Sequence, residues 1–418
     1  MNTNITSPLP PRACVVSQFP EFCETFILNE IMELNKRGIP FEIFSLKLCE
    51  DRRFQPGAQD LMFSCTHYAP TPWSPKLLFA SIGRLFRTPG RYLSTLALAL
   101  HARKGPFSVF LKTLFVFYQA AWFAKKAEEL GLRHVHAHWA SIPSSAGLFI
   151  ARLAGASFSL TAHAYDIYID RTLLEEKIEA AQYLITCTQY NKRYMLDLYP
   201  HVDEHKIQVF YHGVDLNAFD EGGERAETKQ EEVPILLSIG RLCDTKGFPD
   251  LLTACAVLKS RGLRFRCRIV GDGYMRRDLA LEISLMELGD CVEIVGLIPR
   301  EQVIQEMRQA RLFVLPCVVT PRGDRDGLPN VVVEAMSMGL PVITTNISAL
   351  PEGVEDGVNG RLVPEKNPGA LADAIAGCWE DAETLRKWGE NSRRKAHEVF
   401  GLQENAEALA QFIKGQSV

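Results

Sequence analysis

Short apolar runs alternate with amphipathic stretches along most of this chain, the βαβ rhythm of a parallel sheet. In the first half RACVVSQ, PFEIFSL, RHVHAHW, SFSLTAH, YLITCT and KIQVFYHG each read as a strand ending at a polar loop. TFILNEIMELNKRG, between the first two, reads as a helix with Thr25 as N-cap and Gly38 as its stop. The second half repeats the rhythm in PILLSIG, RFRCRIVG, CVEIVG, RLFVLP and LPVITT. A polar, Gly-containing stretch, DEGGERAETKQEEV, separates the halves and has the composition of a linker. The expected class is α/β, with two Rossmann-like doubly wound parallel-sheet domains at 1–217 and 233–398, a linker at 218–232 and a final helical segment at 399–418. Two such domains would face a cleft lined by the carboxyl ends of their strands, where open α/β sheets bind ligands.

Composition narrows the class. At 47% hydrophobic and 23% charged, 418 residues can bury more than one core, which excludes a disordered chain. A net charge of −4 excludes a uniformly basic nucleic-acid binder. The 11 cysteines form no C-x-x-C pair, so reduced thiols in a cytoplasmic setting are expected rather than a zinc or disulfide framework. The opening MNTNITSPLPPRA lacks the basic and apolar regions of a signal peptide. The most apolar stretch, TLFVFYQAAWFA, runs 12 residues between Lys112 and Lys125, short of the roughly 20 a spanning helix needs.

The charge is unevenly placed. Leu61 to Ala127, 67 residues, contain no Asp or Glu and nine Lys or Arg, so the rest of the chain carries −13. Aromatic and aliphatic residues, among them Trp73, Phe79, Phe86, Phe107 and Phe115, interleave with these cations. A basic, apolar-rich helical insert at about 73–127 favours an anionic membrane surface. The alternative is a pair of core helices whose cations are merely solvated.

Candidate chemistry lies at strand ends of the second half. Gly240 and Arg241 follow a strand, and Lys246-Gly247 come five residues after Arg241. A strand, a tight turn and a helix N-terminus attract phosphate, and Arg241 and Lys246 add charge. This is not a Walker loop, since Thr245 and Gly247 stand where Gly and Ser or Thr are needed. Gly271 and Gly273 form a second strand-end turn, but Arg276 occupies the third glycine position of the dinucleotide fingerprint, which counts against hydride transfer. In DGLPNVVVEAM, Pro329 and Asn330 mark a helix start, with Asp326 in the loop before it and Glu334 about one turn inside. Both carboxylates can accept from sugar or ribose hydroxyls while free N–H groups of residues 327–330 take an oxyanion. Asp324-Arg325-Asp326 is the one formal D-x-D match and reads as loop.

SIGRLCDTKG, VGDG, Asp326-x7-Glu334 and EAMSMGLPVI together resemble the retaining nucleotide-sugar glycosyltransferases of family four, with the two-Rossmann GT-B fold. QFPEFCETFILNE, HAHWA, LTAHAYDIY and YHGVDLNAF resemble the branch that builds bacterial exopolysaccharide, colanic acid or lipopolysaccharide. The resemblance implies that Arg241 and Lys246 hold the donor diphosphate as it leaves, and that Glu334 binds the ribose. Asp326 with the backbone of Gly327, Leu328 and Pro329 would hold the sugar, and Ile298 would lie near the base. It further implies His163 facing the sugar, Glu24 and Thr25 on the acceptor side, and a final helix returning to the first domain. Gly240, Gly271, Gly273 and Asn330 complete the implied donor site. No metal and no cofactor beyond the nucleoside-diphosphate sugar is expected, and the basic insert motivates a lipid-linked saccharide as acceptor, at the cytosolic face of the inner membrane. Three positions depart from the family pattern: Asp326 replaces a Glu, PEFCET replaces a Gly-Gly loop, and His212 replaces an Asn. A nucleotide-sugar epimerase or hydrolase on the same fold is the alternative.

Overall fold

The computed structural model describes residues 9–20, 25–48, 61, 64–216 and 233–416. The chain divides into two compact units, one of Met1–Cys187, Lys192–Phe210 and Ala406–Val418, the other of Thr188–Asn191 and Tyr211–Asn405. The 218–232 linker lies outside the described residues.

The first unit carries a seven-stranded, wholly parallel sheet in the order β3-β2-β1-β4-β5-β6-β7. Its strands are β1 (Arg12–Gln18), β2 (Phe41–Lys47), β3 (Thr66–Tyr68), β4 (His134–His138), β5 (Ser157–Ala162), β6 (Tyr183–Thr186) and β7 (Ile207–Val209). Helices cover both faces of such a sheet, so its central strands are buried, and β4 is buried along its whole length although three of its five residues are histidines. Helix α1 (Thr25–Lys36) begins at Thr25, so Thr25 is its first residue rather than its cap. It ends where Gly38, at φ +79°, lets the Ile39 N–H reach back to the Leu34 carbonyl at 3.0 Å.

The basic insert folds as α2 (Pro75–Arg87), α3 (Pro89–His101) and α4 (Phe107–Glu129). The last corrects the expectation about length. Its 23 residues extend well past the 12-residue apolar run, and by length and composition it could cross a membrane. Here it packs within the unit, with Val116, Phe117, Gln119, Ala120, Phe123 and Ala127 buried. It lies beside α5 (Ile142–Ala154), where Phe117 meets Phe149 edge-on.

The second unit holds a six-stranded parallel sheet in the order β10-β9-β8-β11-β12-β13. Its strands are β8 (Ile235–Ile239), β9 (Arg266–Val270), β10 (Val292–Gly296), β11 (Ala310–Leu315), β12 (Val342–Thr345) and β13 (Gly360–Val363). The short edge strands β3 and β13 are the two that the hydrophobic pattern does not announce. Each pairs on one side only, so neither needs a long apolar run.

Near the C-terminus, a helix at Leu402–Gly415 crosses from one unit's residues to the other's. From Ala406 on it belongs to the first unit, where Leu409, Ala410 and Ile413 join a core with Ile27, Ile31 and Phe41. Arg37 Nε donates to Glu407 Oε2 at 3.0 Å alongside. Within the second unit, Val214 exchanges backbone bonds with Phe400 and Leu402 at 2.9 and 3.0 Å. Gly213 serves that pairing: a Cβ there would fall on the Leu402 backbone.

Candidate functional site

In the second unit the candidate residues gather where the strand order reverses, beside the carboxyl ends of β8 and β11. After β8 the chain runs through Gly240 and the exposed Arg241 into a 3₁₀ turn, Asp244–Lys246. Gly247 follows at φ +67°, and a Cβ there would fall on the Pro316 carbonyl just past β11. The turn is therefore pressed against the end of β11, and the Val318 N–H donates to the Thr245 carbonyl at 3.0 Å. This seats Lys246 in a buried position with its stem over Gly240, where a Cβ would lie 3.4 Å from Lys246 Cδ and Cε.

Lys246 Nζ lies 3.1 Å from Asp326 Oδ1. Burial opposes the ammonium charge, but Asp326 more than restores it, so the pKa stands above the ordinary lysine value. The other carboxylate oxygen, Asp326 Oδ2, is buried and has no hydrogen-bond partner among the described residues. Such an acceptor is left wanting a donor that the described protein does not supply.

Gly271 and Gly273 have a structural reason of their own. A Cβ at Gly271, which sits at φ +141°, would fall on the Gly240 carbonyl, and one at Gly273 on the Leu242 carbonyl. Leu242 N–H donates to the Asp272 carbonyl at 3.0 Å, and Met275 N–H to the Leu242 carbonyl at 3.2 Å. The two strand-end loops are thus laced backbone to backbone, and the glycines hold the Arg241 loop in place. Ile298, just past β10, is partly buried against the unit's apolar core. Gly327 and Pro329 are buried, and Leu328 is partly buried against the same core.

Pro329 caps α6 (Asn330–Ser337) without a side-chain hydrogen bond to its first N–H groups. Glu334 lies one turn inside, and burial raises its carboxyl above the ordinary value, with Arg300 opposing. Asp324 and Arg325 lie in irregular loop, where Asp324 accepts the Thr320 N–H through its carbonyl at 2.9 Å.

In the first unit His163 ends β5 and caps a short helix, Ala164–Tyr168. Its ring packs on Trp139, with centroids 4.3 Å apart, and on Phe26 at 5.2 Å. Asp166 acts as a cap, accepting the His163 N–H at 2.7 Å and the Ala140 N–H. Two residues that sequence reasoning passed over support this loop. Trp139 stands at φ +71° directly after β4. Lys177 is fully buried, and its Nζ donates to the carbonyls of Ala140, Ser141 and Thr172 at 2.5, 2.8 and 2.7 Å. Trp139 was visible in HAHWA, whereas Lys177 carries no signal within LEEKIEA. Glu24 lies outside the described residues, and so does the side chain of Thr25.

Two of the β4 histidines are structural. His134 bridges the hydroxyls of Ser157 and Ser159 at 2.7 Å each, and His136 those of Ser159 and Thr161 at 2.8 and 3.0 Å. Glu30, His136 and His138 do converge, although no spacing in the sequence suggests it. Both ring nitrogens of His136 are already engaged by hydroxyls. Burial lowers the His136 pKa to about 3. The unfolded chain therefore binds a proton below pH 6.5 that the folded one refuses, and stability is lost as pH falls from there toward 3. His136→Gln removes this linkage. In acid titrations of unfolding, the advantage of the wild type over the variant shrinks by about 1.4 kcal/mol per pH unit below 6.5. A pH-independent difference contradicts the assignment.

Comparison with known proteins gives the geometry a family. Residues 23–218 match Glycosyltransferase Family 4, and residues 222–395 match Glycosyl transferases group 1. The chain is 35% identical over 210 residues to a putative colanic acid biosynthesis glycosyltransferase, WcaL, of Salmonella typhimurium, covering 50% of this chain and 51% of that protein. It is 38% identical over 137 residues to the amylovoran biosynthesis glycosyltransferase AmsK of Erwinia amylovora, covering 33% and 34%. The chain thus spans about half the length, or less, of these curated relatives. Among solved structures, Anabaena HepE in complex with UDP and glucose superposes with a TM-score of 0.68 at 18% identity, over 98% of this chain and 100% of that one. The alternative of an epimerase or hydrolase finds no counterpart in these matches. The chain thus carries a Glycosyltransferase Family 4 domain and a Glycosyl transferases group 1 domain in tandem, on two parallel-sheet units of the GT-B type.

Proposed function

We propose that this protein is a retaining glycosyltransferase that moves a sugar from a nucleoside diphosphate to a hydroxyl of a lipid-linked saccharide, in the synthesis of a cell-surface polysaccharide. The observation that carries the reading is the Lys246–Asp326 pair at the switch point of the second sheet, with Asp326 Oδ2 left as a buried acceptor. The WcaL and AmsK relatives support the polysaccharide setting. The UDP-bound HepE structure supports a nucleotide-sugar donor.

In this mechanism the donor diphosphate lies against Arg241, Lys246 and the N-terminus of α6, whose first N–H groups receive no side-chain cap. As the glycosyl bond breaks, negative charge builds on the leaving phosphate. Fixed cations and backbone donors meet that charge without reorganising, typically the largest catalytic term in such a site. No metal ion is assigned a part, because these groups can carry the compensation. Asp326 accepts from a sugar hydroxyl through Oδ2, with Gly327, Leu328 and Pro329 lining the sugar. Glu334 takes the ribose hydroxyls, and Ile298 and Asn330 flank the nucleotide. The acceptor attacks from the face the phosphate leaves, and the phosphate takes its proton, so configuration is retained.

Calorimetric titration with UDP-, GDP- and ADP-sugars tests the donor site. One series is expected to bind. Glu334→Ala is expected to weaken that binding about 10- to 100-fold, the worth of hydrogen bonds to a charged acceptor. Indifference of the wild type to all three series overturns the proposal, and unchanged binding by the variant overturns the role of Glu334.

The proposed location is the cytosolic face of the membrane, held there peripherally by the insert. Phe79 and Phe86 of α2 are 71% and 81% exposed, and Trp73 just before it is 94% exposed. Ile82 lies between them on the same helical face and is also exposed. Large apolar side chains held in water beside lysines and arginines are the composition of an interfacial helix.

A further inference from the structure

The helical insert holds more than an adhesive face. A groove of about 520 Å³ runs between α2 and the second half of α4, lined by Lys76, Phe79, Gly83, Arg84, Arg87 and Trp122, with Lys125 and Glu128 at its edge. Lys76, Arg87 and Lys125 are exposed around it. Arg84 is only 4% exposed and forms part of the lining. Its Nη1 serves Glu128 Oε1 at 2.6 Å and the Leu153 carbonyl at 3.2 Å, while its buried Nη2 has no partner among the described residues. Glu128 is thus already compensated by Arg84; Lys125 has a loose, solvent-exposed partner in Glu129 at 3.8 Å, and Lys76 and Arg87 remain beside it.

We propose that this groove seats the phosphate headgroup of an anionic lipid lying in the bilayer. Charge selects an anion, and the walls select an amphiphile. The exposed rings of Phe79 and Phe86 belong to the same helix as Lys76 and Arg87, so a phosphate held by these two, with Lys125 across the groove on α4, can have its hydrocarbon beside those rings. The groove is open because position 83 has no side chain: a Cβ built there meets nothing within 4 Å, and the glycine has no positive φ. A larger residue at 83 would fill the groove without strain and without changing the charge of the insert.

That last property makes the test. The inference rests on the proposal that the insert meets a membrane, and the variants separate the two. The full chain is co-sedimented with phosphatidylcholine vesicles, alone or carrying phosphatidic acid, at about 0.15 M salt. The wild type is expected to sediment with the anionic vesicles. Gly83→Leu adds apolar surface and keeps every cation, so simple adhesion predicts equal or stronger binding. The groove predicts a loss of about fivefold or more, the worth of one cation contact at a lipid surface. Arg87→Ala is expected to lose a similar factor. Gly83→Leu with unchanged circular dichroism and undiminished binding overturns the groove and leaves the membrane reading standing. A wild type that sediments with neither vesicle overturns both.

Discussion

Replacement of Lys246 by Ala is expected to lower kcat for sugar transfer about 10²- to 10³-fold, the effect of removing one preorganised donor from a site of developing charge. Lys246 is held by three separate devices. Its stem lies over Gly240, its turn is pressed on Pro316 through Gly247, and its ammonium is fixed 3.1 Å from Asp326. A group so restrained needs no reorganisation when the phosphate departs. Steady-state kinetics with the donor identified by titration, together with an unchanged circular dichroism spectrum, is the measurement. Activity within about threefold of the wild type would remove Lys246 from the reaction.

Lys177→Met is expected to destabilise the first unit by about 3–5 kcal/mol although the side chain keeps its length. Three buried carbonyls, those of Ala140, Ser141 and Thr172, share its ammonium as donor. Burial draws the Lys177 pKa down to about 7, with Asp170 and Asp166 opposing. Methionine fills the space but donates nothing, so the carbonyls lose that donor and Asp166 loses a nearby positive charge. Thermal unfolding followed by circular dichroism should show a midpoint lower by about 10 °C. A shift of only a degree or two would mean that water replaces the ammonium at little cost.

The sequence made the strands of both sheets legible because parallel sheets bury both faces. CVV, ILL and LFVL are apolar without interruption, and punctuation by Gly and Pro sets the ends of such runs. Thr66–Tyr68 and Gly360–Val363 escaped because an edge strand leaves one side unpaired and tolerates polar residues. In the site, Arg241, Lys246 and Asp326 stood out as charged residues at strand ends. The structure brings Lys246 and Asp326, 80 positions apart, into contact, which no local pattern could state. Gly271 and Gly273 are legible as a strand-end turn, but only the structure shows that the space they leave is filled by the backbone of Gly240 and Leu242. Lys177 could not be read at all, because in its own heptad it looks like any solvated lysine, and only the carbonyls of distant loops reveal its work. The length of α4 exceeds its apolar run because a helix continues through charged residues that reach water, so Lys112 and Lys125 do not bound it.

The returning helix has a consequence for how the protein is made. Leu409, Ala410 and Ile413 complete the core that Ile27, Ile31 and Phe41 begin. On a ribosome, the first unit emerges ahead of the second but cannot close that core until residues 406–416 have followed. Domains commonly fold in the order of their synthesis. Here the earlier unit must wait, with part of its apolar interior open, while nearly two hundred intervening residues are translated and the later unit takes shape.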